Sequence, residues 1–500
     1  MKKVSYKLAL SLLTITFFLG CNKSDDSPNS STAIDFSQVE IQDFIWEGMN
    51  AYYLWKDNVP ALANSKDDNN ESYYNFLKSY PDPDNFFESL IYNRENTDKW
   101  SWVVDDYIAL ENSFQGISTS NGVKYRLSYE SGSDYNILGY VRYIQPNSDA
   151  STKDVKRGYV FDAIDGIQLT VDNYSSLLAQ DTYTMNFANL NGGVPVSNGK
   201  SVTLTKSAYQ ENPVLIAKTL DVSGTKIGYI MYNAFTSTYD QQLNEAFGQL
   251  KSEGATELIL DLRYNGGGSV QTSVYLASMI TGQFNGQLFA KEKWNTELQS
   301  WFESNHPDWL VNSFENQITK QNSNGSTIQL PINSLNLNRV FVITTGSSAS
   351  ASELIINGLN PYINVITIGT KTSGKYTGSI TLYDSDTFGR TGANLNPRHT
   401  WAIQPIVLET VNKLGVNDKD GFDPTVEIIE YVSDFQELGI ETEPLLAKAI
   451  EQIVPSAKTS AKKKPSVIIE DFKGYKGDSK YETGMHVDKE LPADFFNRLN

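Results

Sequence analysis

Apolar residues recur at Ile41, Phe44, Ile45, Met49, Tyr52 and Trp55, spacings of three and four that put them on one face of a helix over 41–55. Residues 35–111 are rich in Tyr, Phe and Trp and broken by Pro60, Pro81 and Pro83. They predict a small, mainly helical N-terminal cap whose aromatics form its own core. Over 112–218 the pattern shortens. Alternating runs at 123–129 and 139–144, separated by clusters of Gly, Asn, Ser and Asp, predict a small β domain. Over 219–450 strand and helix alternate. Apolar strands at 227–231 and 258–262 flank a helix at 242–250 with Leu243, Ala246, Phe247 and Leu250 on one face, and a second helix runs to about Met279. An insertion at 283–335, with an Asn-rich loop near 321–327, precedes strands at 340–344 and 365–368. A Ser-rich turn at 346–350 opens the helix between those two strands. The pattern predicts a multidomain α/β chain with a mostly parallel sheet covered by helices. The tail over 451–500, with Lys462-Lys-Lys464-Pro465 and few apolar runs, reads as an extended appendix with solvated lysines.

The first residues follow a different logic. Lys2, Lys3 and Lys7 precede a short apolar run at 8–19 that ends in Gly20, the pattern of a secretory signal over 1–20. Cys21, the only cysteine of the 500 residues, stands at the cleavage point. Phe18-Leu-Gly-Cys21 resembles a bacterial lipobox, with phenylalanine where leucine is usual. The resemblance implies acyl chains on Cys21, a polar tether over 21–34 and a membrane anchor without a spanning helix. Lys23-Ser-Asp-Asp26 resembles the acidic export signal of surface lipoproteins. It implies a cell-envelope protein at the outer membrane or cell surface, with the periplasmic face as the alternative.

Charge and composition narrow the chemistry. Against 59 Asp and Glu stand 41 Lys and Arg, a formal charge of −18, which argues against a nucleic-acid partner. A single cysteine excludes an internal disulfide and a cysteine-cluster metal site, and the three histidines, His306, His399 and His486, argue against a histidine metal centre. No metal or cofactor is expected. Hydroxyls, amines and backbone amides must carry the chemistry.

Within the β domain, a strand at 139–144, a turn at Pro146, and a strand closing on Ala163-Ile-Asp-Gly166 lead to a helix at 173–178. Asp165-Gly166 suits a tight hairpin that needs positive φ. This order resembles a PDZ module, which adds an extended peptide to a sheet edge and captures its carboxylate on backbone amides. An ordinary β domain is the plainer reading.

Open α/β sheets bind ligands beyond the carboxyl ends of their strands, and two such turns stand out. After Asp261-Leu-Arg263 come three consecutive glycines, Gly266 to Gly268, whose amides can approach a developing negative charge. A phosphate reading lacks the Gly-Lys-Ser/Thr that should follow, and a purely structural turn is the alternative. The second turn is Ser347-Ser-Ala-Ser-Ala-Ser-Glu353, at a strand-to-helix junction that can present a serine hydroxyl. Serine needs a base. His399 is one candidate. A desolvated lysine is another, and Lys375 follows in Thr372-Ser-Gly-Lys375.

In combination, Leu260-Asp-Leu-Arg-Tyr-Asn-Gly-Gly-Gly268, Ser348-Ala-Ser-Ala-Ser-Glu353 and Ser373-Gly-Lys375 resemble the carboxyl-terminal processing peptidases, or tail-specific proteases, including lipoprotein members of Bacteroidetes-type bacteria. Trp401-Ala-Ile-Gln-Pro405 and Gly421-Phe-Asp-Pro424 resemble the family's closing strands, so the likeness covers about 110–435. The family pairs a PDZ module with a ClpP/crotonase-like Ser/Lys core. The resemblance implies Ser350 as nucleophile and Lys375, twenty-five positions later, as base. It implies oxyanion donors at the amide of Ala351 and at the glycine turn, Gly267 first and Gly268 next. Two positions depart from the family pattern. Ser379 stands where many members have a glutamine that orients the lysine, and Tyr376 replaces a glycine. Ser379 is the candidate to support Lys375 instead. Glu353 reads as structural, a carboxylate in the first turn of a helix.

The implied activity is a serine endopeptidase acting on proteins or peptides with a free C-terminus. A non-catalytic, lipid-anchored peptide-binding protein on the same fold is the alternative. A Ser-His-Asp hydrolase built on Ser350 and His399 is a second. A surface glycan-binding lipoprotein, resting on aromatic content and the lipobox, leaves the Ser/Lys spacing unexplained.

Overall fold

The computed structural model describes residues 34–457 except 322–325 and 392–393, together with 472, 484–487, 492 and 495. The signal, Cys21, nearly all of the tether and the Lys462–464 run lie outside the described residues. Among the described residues no helix is long and apolar enough to cross a membrane.

A six-stranded sheet runs in the order Val214–Val222, Thr225–Tyr232, Glu257–Asp261, Arg339–Thr344, Asn364–Gly369, Val426–Glu427. The first two strands form an antiparallel hairpin and every later pair is parallel. Leu258, Leu260, Val340 and Val342 pack on one face among the helices Asp240–Ser252, Val270–Thr281 and Ala351–Leu359. Ile259, Phe341 and Ile343 pack on the other against Pro444–Ile453. Burial on both faces is why these strands read as continuous apolar runs.

A second, five-stranded sheet takes the order Val311–Ser313, Leu288–Trp294, Ile406–Asn412, Thr377–Ser379, Met485–His486. The stretch 283–335, expected as an insertion, thus supplies two of its strands. Its helix Thr296–Asn305 buries Leu298 and Phe302 against the N-terminal domain.

In that N-terminal domain the helix Glu40–Tyr52 buries Phe44, Ile45, Met49 and Tyr52, as the spacing predicts. Helices Asn70–Lys78 and Pro83–Ser89 add Tyr73, Phe86 and Phe87 to the same cluster. Asn69 and Asp82 cap them, each side chain accepting a backbone N–H of the first turn. The strand Trp102–Val104 then pairs with Ala402–Gln404 and stitches the domain to the core.

The β domain is an antiparallel sheet ordered Val123–Tyr129, Ile137–Ile144, Val160–Ile164, Thr182–Asn191, Val194–Thr205, flanked by the helix Tyr174–Ala179. Asp165 and Gly166 both take positive φ at the expected hairpin. One side chain locks this domain to the core. The Arg157 guanidinium donates to Tyr264 Oη at 2.7 Å and Glu430 Oε1 at 2.6 Å. Glu430 also accepts from Arg263, which Asp261 and Glu443 hold from the other side at 2.7 Å each. Burial would raise the Glu430 pKa, but Arg157 and Arg263 outweigh it and hold it at about 2.

The tail differs from its expectation as an appendix. Phe472 is buried in the β-domain core, Met485 in the main core, and Phe495 in the N-terminal cluster beside Phe302 and Trp301. Single apolar residues spaced by ten or more positions carry no periodicity, so a window that looks for a repeating face passes over them.

Candidate active site

Three neighbouring parallel strands, Glu257–Asp261, Arg339–Thr344 and Asn364–Gly369, release their chains at the same sheet edge. The turns that follow carry Gly266–268, Ser350 and Lys375. The parallel order alone therefore brings together residues far apart in sequence.

Buried Asn265 aligns the first two turns. Its Nδ2 donates to Tyr232 O at 2.9 Å, its carbonyl accepts from Ala349 N at 3.1 Å and Ser352 Oγ at 3.0 Å, and its Oδ1 accepts from Gly267 N at 2.9 Å. Gly267 and Gly268 have φ of +113° and +136°. A Cβ on Gly267 would stand 2.7 Å from Ser350 Cβ, and one on Gly268 would stand 2.3 Å from Phe235 O. Both positions require glycine, for conformation and for space. The amide of Gly267, the first oxyanion candidate, is turned to Asn265. That places Gly268 ahead of it, a correction to the order expected from the sequence.

Ser350 takes φ +64° and ψ −112° at the start of the helix Ala351–Leu359, a strained conformation for a residue with a side chain. Its hydroxyl is buried and projects from the turn. Its amide donates to Glu353 Oε2 at 2.8 Å. The same carboxylate accepts from the amides of Lys375 at 2.8 Å and Gly374 at 2.7 Å and from Thr372 Oγ1 at 2.6 Å. Glu353 therefore does more than favour a helix dipole: it clamps the loop of Ser350 to the loop of Lys375. Burial, its largest influence, raises the Glu353 pKa while those bonds lower it, and the net shift is upward.

The Lys375 side chain is 1% exposed. Burial, partly offset by the charges of Asp98 and Glu353, lowers its pKa to about 8. Trp100 lies over it, with Nζ 5.9 Å from the ring centroid. Asp98 and Trp100 come from the N-terminal domain. The buried Asp98 carboxylate accepts from Tyr53 Oη at 2.8 Å and from the amides of Trp100 and Ser101 at 3.1 and 2.9 Å. Sequence reasoning passed over both Asp98 and Trp100.

The tail enters here as well. Ser350 Oγ accepts the amide of Met485 at 2.6 Å, and a Cβ on Gly484 would lie 3.3 Å from Lys375 Nζ. One peptide unit thus abuts both groups. Ser379 is engaged with the tail and a neighbouring strand: its hydroxyl donates to Met485 O at 3.1 Å and accepts from Gln404 Nε2 at 3.0 Å. Its expected support of Lys375 gives way to that link.

His399 is spent elsewhere. Its Nδ1 accepts from Trp401 N at 3.1 Å, and its Nε2 pairs with Asp384 at 2.9 Å, which leaves no ring nitrogen for Ser350. The Ser-His-Asp alternative therefore loses its base. Beside the turn of Ser350, a cavity of about 570 Å³ opens between the β domain and the core, lined by Arg126, Arg142, Tyr143, Gly268, Ser347 and His486 among others. Arg142 Nη2 donates to Ser347 Oγ at 3.1 Å across it.

A buried, strained serine and a desolvated lysine on one carboxylate clamp are the parts of a hydrolytic site. The model of Peptidase family S41 matches residues 226–405, and that of the Peptidase S41 N-terminal domain matches residues 40–102. The chloroplastic C-terminal processing peptidase of Tetradesmus obliquus is 23% identical over 342 residues, 65% of each chain. A carboxyl-terminal-processing protease of Picosynechococcus is 26% identical over 179 residues, 35% of each chain. The chain thus spans 65% and 35% of the length of these two relatives. The crystal structure of a Bacteroides fragilis protein assigned to the S41 proteases shares the fold, with a TM-score of 0.60 at 23% identity over 82% of this chain and 97% of that one. Both family models match in chain order, so residues 40–102 and 226–405 are similar to the two domains of peptidase family S41, and the fold recurs in a solved structure assigned to it.

Proposed function

We propose that this chain is a serine endopeptidase with a Ser350–Lys375 dyad. The observation that carries the reading is Glu353, one buried carboxylate that holds the backbones of both residues at 2.8 Å. Neutral Lys375 takes the proton of Ser350 as its oxygen adds to a substrate carbonyl carbon. The tetrahedral oxyanion is met by the amides of Ala351 and Gly268, each such donor worth about 3–4 kcal/mol. The lysine then returns the proton to the leaving amine, and water hydrolyses the ester by the same route in reverse.

The β domain serves as a PDZ-like module and the sheet domain as a ClpP/crotonase-like core. In support, the outermost strand Val123–Tyr129 lies near the helix Tyr174–Ala179, the two walls a peptide strand needs. Arg126 and Arg142 line the cavity between module and nucleophile, suited to a substrate's terminal carboxylate. The printed names of the relatives, C-terminal processing peptidases, fit substrates recognised by a free C-terminus. Cys21 and its lipobox-like context support a lipid anchor in the cell envelope.

The test is intact-mass detection of a fluorophosphonate adduct. The reading expects one adduct on Ser350 in the full chain and at least a hundredfold slower labelling in Lys375→Ala. Equal labelling of both chains, or an adduct on another serine, removes the dyad. An absence of adduct together with tight peptide binding favours the non-catalytic alternative.

A further inference from the structure

Two stretches of the chain's own C-terminal segment lie where a peptide substrate would. At the β domain, Phe472 donates its amide to Leu127 O, on the outermost strand, at 3.2 Å. Its ring meets Tyr129 of that strand at 5.3 Å and Tyr174 of the facing helix at 5.2 Å, both edge-on. Backbone pairing to an edge strand, with a side chain set between strand and helix, is how an added strand is recognised. At the catalytic end, the short strand Met485–His486 is held on two sides. Met485 and His486 pair in parallel with Gly378 and Ser379. Val487 N donates to Ser379 O at 3.1 Å, and His486 N donates to Gly268 O at 3.1 Å. Met485 is fully buried, and the His486 ring stacks on Phe114 at 4.5 Å.

The contact at the nucleophile is that of a blocker. Attack on a peptide carbonyl carbon comes from above the peptide plane. Here Ser350 Oγ accepts the Met485 N–H at 2.6 Å, so it lies near that plane, on the nitrogen side, with a lone pair engaged. Chain order gives the same answer. Phe472 stands at the β domain and Met485, later in the chain, at Ser350, whereas a substrate held in the module by its C-terminus has the opposite order.

We propose that the chain inhibits itself in cis: its C-terminal segment, with Phe472 in the peptide groove and residues 484–487 across Ser350, is a reversed and uncleaved occupant that substrate must displace. The proposal rests on the peptidase reading and adds regulation of that site. In the full chain, the amides of Met485, His486 and Val487 should exchange with deuterium at least about tenfold more slowly than in an unstructured peptide. Full-length Met485→Asp, which puts a charge in the apolar seat, should label with fluorophosphonate on Ser350 at least about tenfold faster than wild type. Phe472→Ala, remote from the nucleophile, should shift the rate the same way by a smaller factor, and it carries the test if Met485→Asp does not fold. Equal rates in all three chains overturn self-inhibition and leave the peptidase standing. If no chain labels, the peptidase reading falls, and deuterium exchange alone then decides the placement of the tail. A wild-type product ending at Gly484 that is absent from Ser350→Ala overturns the proposal in favour of self-cleavage.

Discussion

Glu353 concentrates on one buried carboxylate the amides of Ser350, Gly374 and Lys375 and the hydroxyl of Thr372. Such bonds to a charged acceptor are about twice as strong as neutral ones. In Glu353→Gln the amide group presents an N–H where a carboxylate oxygen accepted, so at least one amide loses its partner. We expect kcat to fall by about a hundredfold with KM within about threefold, because the residue sets the relation of base to nucleophile rather than substrate affinity. A stability loss of about 1–3 kcal/mol in urea accompanies it. Rescue by Glu353→Asp to wild-type kcat would refute a positioning role that depends on reach. Lys375 carries the second prediction at this scale. Its pKa is lowered to about 8, and only its neutral form accepts a proton. At pH 7 about a tenth of the chains are competent, so the labelling rate should climb about tenfold per unit below pH 7, about fivefold from pH 7 to 8, and level off above about pH 9. A rate that is flat from pH 6 to 9 in an enzyme that still needs Lys375 would remove it as the base.

Among the elements, the glycine turn and the arginine beneath it show how a strand end becomes a site. Gly267 faces Ser350 so closely that a methyl group would meet its Cβ at 2.7 Å. Gly267→Ala, besides favouring another φ, should push the nucleophile turn out of register. We expect a folded chain whose fluorophosphonate labelling drops at least a hundredfold, with circular dichroism unchanged. Just upstream, Arg263 is fully buried between Asp261, Glu430 and Glu443. Removing one partner of a buried ion network leaves charge uncompensated, so Glu443→Ala should cost about 3–5 kcal/mol. A loss below about 1 kcal/mol in urea unfolding would show that Asp261 and Glu430 suffice to hold Arg263. The core strands and both candidate turns were legible in the sequence because two-sided burial writes itself as apolar runs and because glycine and serine clusters follow those runs directly. The Leu288–Trp294 strand was not. Its alternating pattern lay inside a stretch that looks like an insertion, and its partner Ile406–Asn412 is more than a hundred residues away.

At the scale of the whole molecule, the site is completed by parts that no local pattern connects. Met485 and Phe472 arrive from a tail that reads as polar, and Trp100 arrives from the N-terminal domain, 275 positions before Lys375 in the chain. Long-range contacts of single residues leave no periodicity, which is why Ser350 and Lys375 stand out in the sequence as candidates while the groups packed around them do not. The N-terminal domain therefore has a chemical task. Ser101 Oγ accepts the amide of Ile406 at 2.8 Å, and Leu54 N donates to Ile406 O at 2.9 Å, so the loop bearing Trp100 is pinned to the second sheet. Pinned there, the indole keeps water from Lys375, and burial is the main reason its pKa is low. Trp100→Ala should rehydrate the amine and raise its pKa. The midpoint of the pH–rate profile then moves alkaline by about one unit, and the rate at pH 7 falls about tenfold while the plateau above pH 10 stays within about threefold. A uniform loss at every pH, with the midpoint still near 8, would mean that Trp100 positions substrate and that the low pKa of the lysine is set within the core alone.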